Sequence, residues 1–167
     1  MADIASCLTA CREILSRLPG EAAEGNWEKS STRWTMHLFG QLREVGILQG
    51  FEVRPHQGTQ RASGWLYDLV WLRRNADDSL AEAFLVAESE WDPVKAKIIE
   101  DFEKLLLARA EVRIMIFNRR KHSQVLDMFS DMDHRIRAFS VMQPGDHYFL
   151  AGLAWDSGMF EFHEIRL

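Results

Sequence analysis

Ala83-Phe84-Leu85-Val86-Ala87-Glu88-Ser89-Glu90-Trp91 is an apolar run that takes on two glutamates just before Asp92-Pro93 and a helical stretch. Upstream, Trp65-Leu66-Tyr67-Asp68-Leu69-Val70-Trp71-Leu72 is a second apolar run carrying one aspartate. Both runs read as strands. Side chains two apart on a strand share a face. Asp68 is therefore expected beside Leu66, Val70 and Leu72, and Glu88 and Glu90 beside Phe84 and Val86. A carboxylate on a buried face is costly unless something charged compensates it. Three of them on neighbouring strands point to a divalent cation.

The rest of the chain supplies a frame for these strands. Ile4, Leu8, Cys11, Leu15 and Leu18 recur at helical spacing, which predicts a helix over 3–18 ended by Pro19-Gly20. Residues 19–28 read as a connector. Trp34, Leu38, Leu42 and Val45 predict a second helix over 30–45, capped by Ser30, Ser31 or Thr32 and stopped at Gly46. A short strand follows at 50–54, then a polar loop over 56–64 with Gln57, Gln60 and Arg61. After the two acidic strands, Asp92 is expected to cap a helix to about Arg109, with Pro93 in its first position. Val112–Phe117 reads as a central strand, 121–136 as a helix, and 147–155 with 159–166 as a hairpin turned by Asp156-Ser157-Gly158. A run of strands followed by a strand–helix–strand crossover predicts an α/β fold, a mixed sheet with helices on both faces.

Composition sets outer limits. The 167 residues suit one domain with a real core. A net charge of −5 argues against a general basic coat for nucleic acid. It does not exclude a nucleic-acid substrate, because clustered acids lower the balance. Local basic spots stand at Arg73-Arg74 and at Arg119-Arg120-Lys121-His122. Cys7 and Cys11 lie four apart on a helix without nearby histidines, so neither zinc nor a disulfide framework is expected. They read as buried thiols, which with the lack of an apolar span or signal pattern predicts a cytoplasmic protein and no membrane partner.

The order of elements around the acids resembles the PD-(D/E)xK, restriction-endonuclease-like, nuclease superfamily. The resemblance covers residues 30–118, as an α-β-β-β-α-β core. Residues 1–28 then form an N-terminal helix and connector, and 119–167 a C-terminal helix and β-hairpin, all in one domain. The resemblance places the family's first acid at Asp68, its second at Glu88, and its lysine position at Glu90. Glutamate there departs from most members, although some type II restriction endonucleases carry it. Lys97 or Lys104 could supply a relocated lysine, and Asp101 with Lys104-Leu105 matches acids and lysines often found on the following helix. Glu44 is the candidate acid of the first core helix.

The implied activity is metal-dependent phosphodiester hydrolysis of nucleic acid, DNA above all. Asp68, Glu88 and the carbonyl of Ser89 would hold Mg²⁺ or Mn²⁺, with Glu44 reaching it through water and His37 behind. Glu90 would hold a second ion or orient water, and Lys97 or Lys104 would steady the phosphate. Gln60, Arg61, Arg73, Arg119, Arg120 and Lys121 would meet the nucleic-acid backbone. Adjacent carboxylates also disfavour joint ionisation, so at least one raised pKa is expected without a cation. A homodimer through the hairpin at 147–166 would let such an enzyme cut both strands.

Plainer readings exist for each residue. Asp68 could be a structural acid paired to Arg54 or Arg73, and Glu88 and Glu90 could face solvent on an edge strand. Glu44 and the Asp101–Lys104 pair could be solvated helix surface, and His37 a packing residue. Arg119 to His122 could be a charged loop. The whole could be a nuclease fold without catalysis, serving as a binding or regulatory module, or a structural protein with fortuitous acids.

Overall fold

The computed structural model describes residues 3–54, 66–141 and 143–167. Its elements run α1 (Ile4–Glu24), α2 (Ser31–Leu48), β1 (Glu52–Arg54), β2 (Leu69–Arg74), β3 (Leu80–Glu90), α3 (Lys95–Leu106), β4 (Val112–Arg119), α4 (His122–Ala138), β5 (His147–Ala154) and β6 (Met159–Arg166). The six strands form one sheet whose spatial order equals their chain order. β3 pairs parallel with β4 and β4 with β5, while the three remaining pairings are antiparallel. The protein is thus α/β with a mixed, open sheet.

The two parallel pairs need crossovers, which α3 and α4 supply. Two right-handed crossovers stepping the same way across a sheet put both helices on one face. There Ile98 and Phe102 of α3 and Val125, Met128 and Met132 of α4 bury against Val70, Val86, Met115 and Leu150. The opposite face carries α1 and α2, whose Leu15, Leu18, Trp34, Leu38 and Leu42 cover Leu69, Trp71, Leu85, Ile114 and Ile116. β4 and β5 are buried almost throughout because both their faces are covered.

Several boundaries depart from expectation for identifiable reasons. α1 runs through Pro19 to Glu24, since Leu18 and Ala22 extend its buried stripe. The cost of one missing backbone donor is outweighed by that packing. Gly46 does not stop α2. A Cβ there would lie 2.7 Å from Trp71 Cε2 and 2.8 Å from Val53 Cγ2, so this glycine admits close approach of helix to sheet. The helix instead reaches Leu48 and turns at Gly50, whose φ of +86° favours glycine. α3 starts at Lys95, two residues beyond Pro93, because the Asp92 carboxylate folds back to accept the Val94 N–H at 3.1 Å and is held by Lys97. It ends at Leu106, short of Arg109. Of the expected exposed hairpin, β5 is buried along its whole length and only β6 lies at the sheet edge.

Candidate functional site

β2 and β3 run antiparallel with Leu69 opposite Ala87 and Val70 opposite Val86. Continuing that register sets Asp68, just before β2, opposite Glu88. Residues directly opposite on antiparallel strands share a face. Val70, Leu72 and Val86 all bury beneath α3 and α4, so Asp68 and Glu88 project to that side. Phe84 does not join them. Leu72 pairs with Ala83 while Trp71 pairs with Leu85, so Phe84 is skipped as a bulge and its ring packs on the α1–α2 side. Leu66, expected on the acid face of a strand, precedes β2 and is 65% exposed.

β3 is an interior strand and Glu88 is only 2% exposed, which removes the edge-strand reading for this residue. Its Oε1 has no hydrogen-bond partner among the described residues. Its Oε2 lies 3.6 Å from Lys104 Nζ on α3, and that ammonium also donates to Asp101 Oδ1 at 2.6 Å. Asp68 keeps an accessible surface, yet one carboxylate oxygen, Oδ2, accepts from Ser89 N at 2.9 Å and from Ser89 Oγ at 3.1 Å. The arginines proposed as structural partners are engaged elsewhere. Arg54 pairs with Glu52 at 2.6 Å and Arg73 with Glu82 at 2.6 Å.

The electrostatics follow from this geometry. Burial raises the Glu88 carboxyl to about 8, helped by the nearby Asp68 charge and resisted by Lys104. Crowding by protein raises Asp68 too, although its two bonds from Ser89 favour the charged form. The expectation of a raised carboxyl pKa thus agrees with two members of the acid group. Lys104 is held charged, because hydrogen bonding to Asp101 and the neighbouring carboxylates outweighs its partial burial. Tyr67, which sequence reading passed over, also feels the site: burial raises its hydroxyl and the Glu88 charge adds to this.

Other expected site residues sit apart. Glu90 Oε1 accepts the Asp92 N–H at 2.7 Å, closing the turn out of β3. Lys97 binds Asp92. Glu44 is exposed on α2, across the sheet from the acids, 4.0 Å from Arg43. His37 stacks on Trp27 at 4.4 Å. Of the residues proposed for the nucleic-acid backbone, Arg73 also covers the Phe51 ring at 4.6 Å, and Arg119 donates to Pro93 O at 2.5 Å. Arg120 and Lys121 lie at the start of α4. Gln60 and Arg61 fall outside the described residues, as does Trp65.

Among the described residues no three histidine, cysteine or acidic side chains are grouped to hold a metal together. Nor is any helix long and apolar enough to cross a membrane. Comparison with known protein families, with characterised proteins and with solved structures finds no match for this chain.

Proposed function

We propose that Asp68, Glu88 and Lys104 form the centre of a nuclease-like domain that hydrolyses phosphodiesters of nucleic acid, DNA foremost, with a divalent cation. The observation that carries the reading is the buried Glu88 carboxyl, with an unpartnered Oε1 beside Asp68 and a lysine 3.6 Å away. An orphaned buried acceptor is costly. A cation would satisfy it and relieve the acid–acid repulsion.

The donor set suits Mg²⁺ or Mn²⁺. Magnesium is commonly bound by one or two carboxylates, its remaining positions going to water and substrate phosphate. Two carboxylates are what Asp68 and Glu88 offer, so a third protein acid is not required. When bound, the ion would neutralise the phosphate and lower the pKa of an attacking water. Lys104 is placed to act on the phosphate as a point charge, steadied by Asp101. This gives the relocated-lysine reading a residue, with Lys104 favoured over Lys97. Ser89 holds Asp68 in place through two bonds to one oxygen. That leaves the other oxygen for the ion.

The alternative is a nuclease-like fold that binds without cutting. Glu90 favours it: where the resemblance places a lysine, this chain has a carboxylate already committed to the Asp92 N–H. Incubation with plasmid and oligonucleotides in Mg²⁺ and Mn²⁺, beside an Asp68→Ala/Glu88→Ala variant, separates the two. Cleavage that disappears in the variant supports the enzyme. No cleavage by either, with no metal heat in calorimetry, supports the binding module.

A further inference from the structure

A cavity opens at the same end of the sheet as the acids, on the opposite face. It encloses about 510 Å³ and is lined by Trp34, Trp91 and Trp155 with Pro93, and at its rim by Lys29 and Arg120. That volume lies within the ~300–1,000 Å³ of small-molecule sites, which favour the carboxyl ends of parallel strands. The walls are fixed. Trp34 and Trp155 meet edge to face at 5.7 Å and 90°, and Trp34 and Trp91 are 5.1 Å apart. Buried Asn118 ties two walls together, donating to Trp91 O at 2.6 Å and accepting from Trp155 Nε1 at 3.1 Å. Trp155 nevertheless stays 42% exposed. A large indole held rigidly by its own N–H, with its surface left open, is a flat platform for a planar ring.

The rim selects among planar rings. Arg120 and Lys29 have no carboxylate partner among the described residues. Glu28 is the single acid among the described lining residues, so they are net positive. An aromatic platform beside free cations matches a base joined to a phosphate. Position supports this. Glu90 faces the acid side of β3 and Trp91, one residue on, the cavity side. Glu88 and Trp91 are separated by roughly 10 Å of extended chain.

We propose that this cavity takes an unpaired nucleobase of single-stranded nucleic acid, stacked on Trp155 with its phosphate at Arg120 and Lys29. The proposal rests on the reading of the acid site as a nucleic-acid centre, and specifies its substrate as single-stranded at the base that enters the cavity. The test is binding of a fluorescently labelled oligothymidylate, in EDTA to suppress cleavage, by anisotropy and by quenching of tryptophan emission. An oligomer of the same length with abasic sites is the control.

The wild type should bind the base-bearing oligomer with quenching and the abasic one much more weakly. Trp155→Ala should lose roughly tenfold or more, in line with base–aromatic stacking. Trp155→Phe should recover most of that, and Arg120→Ala, an exposed change, should weaken binding and flatten its salt dependence. Equal binding of abasic and base-bearing oligomers overturns the proposal. So does unchanged binding in both Arg120→Ala and Trp155→Ala, or quenching by an apolar peptide but not by the oligomer. Quenching and base-dependent binding without cleavage in Mg²⁺ would keep the cavity and sink the catalytic reading. Cleavage that is indifferent to Trp155 and Arg120 would do the reverse.

Discussion

Glu88→Gln tests the electrostatics of the acid site without removing its shape. In the unfolded chain this carboxyl titrates near 4.5, and in the fold near 8. The folded state therefore holds the proton more tightly, and between those values it binds more protons than the unfolded state. Stability then falls as pH rises through the window and levels off above it. The gap of about 3.5 units (8 less 4.5) corresponds to about 5 kcal/mol at 1.36 kcal/mol per unit, a ceiling because the pair titrates jointly with Asp68. Glutamine has no proton to lose. Urea unfolding of both proteins from pH 5 to pH 9 should show the wild type losing several kcal/mol relative to the variant, with the steepest divergence between pH 5 and pH 8. Mg²⁺ should narrow the difference at high pH for the wild type alone, since only it gains a ligand there. Parallel profiles for the two proteins across the whole range would refute the argument, whatever the activity.

Mg²⁺ bound as proposed displaces the Glu88 proton, so its affinity should rise roughly tenfold per pH unit below about 8 and then flatten, read by calorimetry in buffers of different ionisation heat. Lys104→Met should raise the Glu88 pKa further, because Lys104 is what lowers it, and should reduce cleavage in the assay above; an unmoved titration by carbon-13 NMR would count against the 3.6 Å pair. Gly152→Ala should destabilise by about 1–3 kcal/mol in urea, because its Cβ would stand 2.4 Å from Val125 Cγ1 and 2.9 Å from Phe117 Cζ; a neutral result would show that α4 shifts freely. Asn118→Ala removes both bonds between the tryptophan walls and should cost about 1–3 kcal/mol, with a red shift of Trp155 emission.

The sheet was readable because its strands obey simple periods. Val112–Phe117 has both faces covered and is apolar but for Arg113, and the β2–β3 alternation put Asp68 and Glu88 together. Reading failed where one tertiary contact reversed a local preference. Gly46 looks like a stop until Trp71 fills the space beside it. Pro19 looks like an end until Ala22 proves to be core. Phe84 leaves the acid face because of a bulge, which alternation alone does not reveal. Asp92 carries a cap's side chain but spends it on Val94 and Lys97, delaying the helix. Within the site, Lys104 and Lys97 were indistinguishable by spacing, and only the packing of α3 against β3 separates them. The tryptophan cavity was hidden because its three rings come from α2, the segment just after β3 and the β5–β6 turn, whose meeting no local pattern encodes.

The strand order carries a consequence for assembly. Because each strand pairs with the one made just before it, the sheet can grow by accretion at one edge as the chain emerges. No strand must wait for a distant partner or insert between two already joined, which keeps loop-closure costs low and favours rapid folding. The acidic centre lies on the β2–β3 hairpin, early in that sequence, and the lysine on α3 follows directly. The charged heart of this domain would be complete once Lys104 is made, with β4, β5 and β6 added afterwards to extend the sheet.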